Sequence, residues 1–311
     1  MIYRVRHRTT YGYDDVVAFA RCILRLTPQT TATQTLLEHT IAVTPGPSHR
    51  RAATGAFGES TLTIVVEAPH RALVIDARSR VEVRAPPRAQ PAASRPWEFL
   101  REAAFTVRDA GPDSPATYIY PTSRTPLLAQ VTDYARSSFA PGRPVVEAGA
   151  DMMARIKADF TYQPGATDVR TPIAETFKTR RGVCQDFAHL MISGLRGLGL
   201  PAAYVSGYLR TNPPPGRPRL AGADATHAWV RLWAGEDLGW VGLDPTNAVF
   251  VGDDHISLAS GRDYADVSPI DGVVLGSGDQ ALKVEVDVMP ETEPAFAPPP
   301  APRIRLTGDS S

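Results

Sequence analysis

Two cysteines, Cys22 and Cys184, are all that the 311 residues contain. A disulfide framework or a thiolate metal cluster needs more thiols than that, so each cysteine reads as a reactive group or a small buried hydrophobe. Lysine is nearly as scarce: Lys157, Lys178 and Lys283 are the only three among 33 basic residues. Those 33 are balanced by 33 acidic residues, so no bulk charge draws the chain to nucleic acid or to an anionic membrane surface. No apolar run approaches the length that spans a bilayer. The start, Met1-Ile2-Tyr3-Arg4-Val5-Arg6-His7, alternates like a strand and lacks the apolar stretch of a secretory signal. A reducing cytoplasm is the expected home of an unpaired thiol. Acidic calcium loops, phosphate loops, dinucleotide fingerprints and internal repeats are all missing, and no cofactor is expected.

What is present divides the chain coarsely. Residues 2–11, 35–44, 60–68 and 73–84 alternate or run rich in Val, Ile and Thr, which predicts a β-rich domain over 1–85. Prolines over 86–96 read as a linker. Helical spacing follows at 97–105, 126–138 and 144–159, and strands dominate after residue 200. A second domain over 97–288, its core at about 144–275, closes with a strand at 283–288. The proline-rich tail over 289–311 is expected to be disordered.

Cys184 sits in Arg181-Gly182-Val183-Cys184-Gln185-Asp186-Phe187, where a Gly turn feeds a helix. Phe187, Ala188, Met191, Ile192, Leu195 and Leu198 mark the buried face of that helix, and Gly199 with Pro201 stops it. A cysteine in the first helical turn faces unpaired N–H groups and the positive end of the macrodipole, which favour a thiolate. Nucleophile and buried thiol both fit this position.

Two later segments carry partners for a thiolate. Period two along Thr226-His227-Ala228-Trp229-Val230-Arg231-Leu232 puts His227, Trp229 and Arg231 on one face. After a turn, Gly239-Trp240-Val241-Gly242-Leu243-Asp244-Pro245 reads as a second strand that Pro245 must end, leaving Asp244 at its tip. Paired strands of this kind can set His227 beside Asp244, the arrangement by which a carboxylate orients an imidazole.

Gly182-Val183-Cys184-Gln185-Asp186-Phe187-Ala188-His189, Gly199 to Tyr208, His227-Ala228-Trp229 and Gly239 to Asn247 together resemble the transglutaminase-like superfamily, of the bacterial cysteine peptidase type. Tyr3 to Tyr13 and Leu24-Arg25-Leu26-Thr27-Pro28 are similar to the bacterial transglutaminase-like N-terminal region. The resemblance implies an α+β, papain-like catalytic core, with a helix-borne cysteine packed on an antiparallel sheet and a β-rich domain before it. It implies Cys184 as nucleophile, His227 as general base and acid, and Asp244 as the group orienting His227. The implied activity is acyl transfer on amide bonds through a thioester. Hydrolysis of peptide or isopeptide bonds is the first expectation, cross-linking as a protein-glutamine gamma-glutamyltransferase the alternative, and a non-catalytic binding or assembly module a third. A protein or peptide substrate and peptide-ligase-like partner proteins are implied with it.

The oxyanion of such a reaction needs two donors, and the Cys184 backbone N–H supplies one. Animal transglutaminases use an upstream indole as the other, but here no Trp lies between Trp97 and Trp229. Tyr162 resembles the tyrosine of bacterial relatives at this point and is expected either to donate its hydroxyl as the second donor or simply to pack. Trp229 is expected to wall the acyl pocket or, equally, to serve as a structural aromatic, and Asn247 to close the turn or hydrogen-bond near the site. His189 lies about 140° around the helix from Cys184, which suits a structural role. Asp186 suits a cap of the helix start. His255 and Gly261 to Pro269 look like family signatures, expected to shape the cleft rim. A zinc site from Cys184, His189, His227 and His255 is rejected because no close ligand pair occurs.

Overall fold

The computed structural model describes residues 1–85, 90–211, 225–276 and 278–292. Alternation along β1 (Ile2–Val17) buries Tyr3, Val5, His7 and Thr9 and leaves the arginines between them on the opposite face. Five further strands follow: β2 (Phe19–Leu24), β3 (Gln34–Thr44), β4 (His49–Thr54), β5 (Ser60–Val66) and β6 (His70–Val83). Tyr13, Val17, Ala20, Cys22, Leu24, Ile64, Val66, Leu73 and Ile75 form a shared core between two sheets. Cys22 is buried there and burial pushes its thiol up, which makes it a small hydrophobe.

The second half lays helices on one antiparallel sheet. Those that build its apolar layer are α1 (Trp97–Thr106), α2 (Ala129–Arg136), α3 (Val145–Asp159) and α5 (Cys184–Gly197). The short α4 (Ile173–Thr179) leads into the cysteine loop, and β7 (Thr161–Tyr162) pairs in parallel with β8 (Arg181–Gly182). The sheet comprises β9 (Ala202–Leu209), β10 (Ala225–Trp233), β11 (Trp240–Asp244), β12 (Val249–Phe250) and β13 (His255–Gly261), ordered β12-β11-β10-β9-β13. Ala228, Val230, Leu232 and Leu243 point at the helices, so Leu190, Met191 and Leu195 of α5 have an apolar surface to cover. This is the α+β, papain-like arrangement that the resemblance implied.

The C-terminal end departs from the expected boundaries. After α6 (Tyr264–Val267), β14 (Ile270–Leu275) pairs with β2 and β15 (Gln280–Pro290) pairs with β1. The last strands therefore complete the two N-terminal sheets and do not belong to a unit running to 288. A strand's alternation reports which face is buried but does not name its partner. The expected linker is also partly built in: Ser94 Oγ accepts the Val146 N–H at 3.0 Å, and Trp97 Nε1 donates to Ala140 at 3.0 Å. Tail residues 293–311 lie outside the described residues, although Met289 and Pro290 belong to β15. Among the described residues no helix is long and apolar enough to cross a membrane.

The halves meet through a third core. Tyr3, Val5, Val81, Val83, Val286 and Val288 pack on Tyr208, Ile256 and Leu258 of β9 and β13. At its edge His7 hydrogen-bonds Tyr208 Oη at 3.0 Å.

Candidate active site

The loop before Cys184 is fixed on several sides. Arg180 takes a left-handed conformation, φ 56°, that ends α4 and turns the chain into β8. There Tyr162 stands opposite Gly182, and the Gln163 N–H donates to the Gly182 carbonyl at 2.9 Å. Asp186 caps the start of α5, its Oδ2 accepting the Val183 N–H at 2.8 Å and the Thr167 hydroxyl at 2.6 Å. A Cβ on Gly182 would sit 2.8 Å from that oxygen, so glycine is required for the cap to close. Burial raises the Asp186 carboxyl, and the two donors work against it. Cys184 is left half-buried at the first position of the helix, its backbone N–H without an intrahelical acceptor.

His227 comes from β10 and Asp244 from the end of β11. The pairing Val230↔Leu243, continued by one step, sets Asp244 across from Trp229 and hence diagonal to His227 on the same face. His227 Nε2 lies 2.8 Å from Asp244 Oδ2, which leaves Nδ1 as the ring nitrogen for the sulfur. Burial depresses the imidazole, but hydrogen bonds and charge from Asp244 and Cys184 outweigh it and raise its pKa to about 9.

Asp244 is fully buried and accepts five hydrogen bonds. Oδ1 takes the N–H groups of Thr246 (2.9 Å) and Asn247 (3.2 Å). Oδ2 takes His227, Asn247 Nδ2 (2.8 Å) and His255 Nε2 (3.3 Å). Burial acts to raise this carboxyl, and the donors on Oδ2 overcome it and hold the group far below the ordinary carboxylate range.

The remaining expected residues fall in different places. Tyr162 is half-exposed beside the thiol: burial first, then the charge of Cys184, raises its phenol. Its hydroxyl makes no hydrogen bond among the described residues. Trp229 does not wall an open pocket. It is 1% exposed, packed edge-on to His255 at 5.2 Å and so close to Gly207 that a Cβ there would lie 2.4 Å from its ring. Asn247 hydrogen-bonds Asp244 through both its backbone N–H and its side-chain amide. His189 is buried against Tyr204, accepts the Tyr264 N–H at 3.1 Å, and is held down to about 3 by burial and by Arg124 and Arg196.

The structure gives two further residues roles that the sequence did not assign. His255, which the sequence marks as part of a family-like segment expected at the cleft rim, lies buried under the site on β13 instead. Arg196 is buried on α5 with four acceptors: Tyr118, Ala202 and Arg262 carbonyls and the Thr125 hydroxyl, at 2.7–2.8 Å. His227, Asp244 and His255 also bring three metal-ligating atoms within 4.8 Å of one another. The Asn247 amide aims a donor at the same oxygen, which suits a hydrogen-bond network better than a cation.

Residues 3–82 match the bacterial transglutaminase-like N-terminal region, and residues 132–245 match the transglutaminase-like superfamily. An uncharacterized protein of Mycobacterium tuberculosis is 42% identical over 93% of this chain and 92% of its own length. A protein-glutamine gamma-glutamyltransferase of Pseudomonas aeruginosa is 32% identical over 42% of this chain and 19% of its own length. A crystal structure from Cytophaga hutchinsonii, described as that of a candidate cysteine protease, has the same fold, with a TM-score of 0.71 at 20% identity over 96% of this chain and 93% of that one. The chain belongs to the transglutaminase-like superfamily.

Proposed function

We propose that the protein is a cysteine-dependent acyl-transfer enzyme that hydrolyses peptide or isopeptide bonds. The observation that carries this reading is the His227 ring, bonded through one nitrogen to a buried carboxylate and interacting with the Cys184 thiol. The Cys184 sulfur attacks an amide carbonyl, and the carbonyl electron pair moves onto oxygen opposite the Cys184 N–H and the Tyr162 hydroxyl. The C–N bond then breaks as His227 gives its proton to the leaving amine, and a thioester remains. Water attacks the thioester while His227 takes up a proton, which regenerates the thiolate and the imidazolium. Asp244 keeps the ring oriented and its cation stable throughout.

Partial exposure of Cys184 supports water as the acceptor, because amine transfer in competition with water needs a dry cleft. Val249 and Phe250, on the strand paired with Asp244, and Tyr162 near the thiol leave exposed apolar surface suited to a peptide segment. Amine transfer stays a second reading on the strength of the Pseudomonas aeruginosa relative. The test is a peptide-library screen with and without an added primary amine, run on wild type and Cys184→Ala. Release of free carboxylate that depends on Cys184 supports hydrolysis, amine incorporation supports transfer, and equal turnover by the Ala variant sinks both.

A further inference from the structure

A second imidazole reaches the carboxylate that orients His227. His255 Nε2 lies 3.3 Å from Asp244 Oδ2. The Gly252 N–H points at the other nitrogen, Nδ1, at 3.4 Å, so Nδ1 accepts and the ring proton sits on Nε2, directed at Asp244. The ring is 6% exposed, and the edge-on contact with Trp229 holds its plane. Asp244 and His227 are the ionisable groups that face it from β11 and β10.

The strand carrying this ring is braced from the N-terminal domain. Gln34 of β3 accepts the Ser257 N–H at 2.8 Å and donates to the Ser257 carbonyl at 2.9 Å. The Gln29 N–H donates to the same carbonyl at 3.0 Å, and the Tyr3 hydroxyl donates to Asp254, next to His255, at 3.1 Å. Ser257 is two residues from His255, so these bonds fix β13 where its imidazole meets Asp244.

We propose that His255 is a positioning residue for the acyl-transfer reaction, a second imidazole donor that locks the Asp244 carboxylate under His227, with the N-terminal domain bracing it through Gln34. The assignment rests on the acyl-transfer reading above. A carboxylate with two backbone donors on one oxygen and three side-chain donors on the other has one orientation available. Without His255 one restraint on the oxygen that faces His227 disappears, and a small rotation there misaligns the ring toward the sulfur.

The experiment compares wild type, His255→Leu and His255→Gln, all as full-length protein. His255→Leu should lose about 10- to 100-fold in kcat with KM little changed, the size of effect that a misplacement of about 1 Å produces. Its alkaline limb should also move to higher pH, because a carboxylate with one donor fewer holds the His227 proton more strongly. His255→Gln, whose amide can present N–H near the former Nε2, should recover most of kcat and the wild-type limb. Wild-type kinetics in the Leu variant, or a Gln variant no better than Leu, would overturn the assignment, as would activity restored to apoprotein only by added zinc. Should the Leu variant not fold, His255→Asn replaces it, being too short to reach Asp244. Iodoacetamide labelling of Cys184 against pH separates the two levels: slow labelling in wild type defeats the acyl-transfer reading, while fast labelling in wild type and identical rates in the Leu variant defeat only the role of His255.

Discussion

Gln34 and Ser257, 223 residues apart, are joined by both ends of one side-chain amide, which closes a ring with the backbone of β13. The same Gln34 Nε2 also donates to the Gln29 carbonyl at 2.6 Å. Gln34→Leu removes all three bonds and strands the Ser257 N–H in the interface. Loss of about 1–3 kcal/mol is expected, read as a lower urea midpoint with unchanged slope. Gln34→Glu keeps the acceptor but turns carboxylate oxygens toward two carbonyls. Its deficit should therefore shrink on acidification, since the protonated acid can donate again, and a deficit independent of pH would count against the clamp.

Asp244→Asn should be far more damaging to catalysis than its size suggests. All five partners of Asp244 donate, and an amide offers one acceptor oxygen and one NH2 group. Whichever way it turns, donors meet donors, and His227 loses the acceptor that sets its tautomer. A fall in kcat of up to about 10⁴-fold is expected, with KM within a few-fold of wild type. A loss below about tenfold would mean that the carboxylate does not orient the ring.

Legibility in the sequence followed the range of the interactions. The start of α5 and the β10 and β11 strands are local patterns, and Cys184, His227 and Asp244 could be picked out of them together with a family resemblance. His255 stood out only as part of a family-like segment placed at the cleft rim, because its contact with Asp244 is a single 3.3 Å approach to a residue on another strand. Trp229 shows the converse case: alternation put it on the face of His227 but left pocket wall and structural aromatic open, since the pattern carries no information on whether that face is open, and Gly207 and His255 close it. The strands β14 and β15 were read as part of the second domain because strand propensity is local and sheet membership is not. His49 to Thr54 of β4 gave no signal at all, since every residue in it is exposed.

Tyr162→Phe isolates the hydroxyl. The ring stays in place because β7 is held by backbone bonds to β8 and not by the phenol oxygen. If that hydroxyl meets the oxyanion, its removal should cost about 2.7–4 kcal/mol of transition-state stabilisation, read as a drop of about 100- to 1,000-fold in kcat. Labelling of Cys184 by iodoacetamide, which forms no oxyanion, should change little. Equal losses in both assays would instead assign Tyr162 a role in holding the thiol.

Stability should fall on acidification well before the carboxylates titrate. His7 is buried between Tyr208 and Thr9, and burial lowers it to about 4, slightly offset by Asp76. His189 is lowered to about 3. Between the unfolded value near 6.5 and these folded values, the unfolded chain binds protons that the native protein excludes, so unfolding becomes easier as pH drops. Each ring contributes a slope approaching about 1.4 kcal/mol per pH unit in that window. His227 has the opposite sign: raised to about 9, it adds stability that is complete below pH 6.5 and is lost as pH rises through 9. The stability optimum is therefore expected near pH 6–7, with decline on both sides. In urea titrations from pH 4 to 9, His7→Gln should flatten the acid branch and leave the alkaline one, whereas His227→Gln should flatten the alkaline branch alone. An acid branch as steep in His7→Gln as in wild type would mean that this buried ring is protonated in the folded protein.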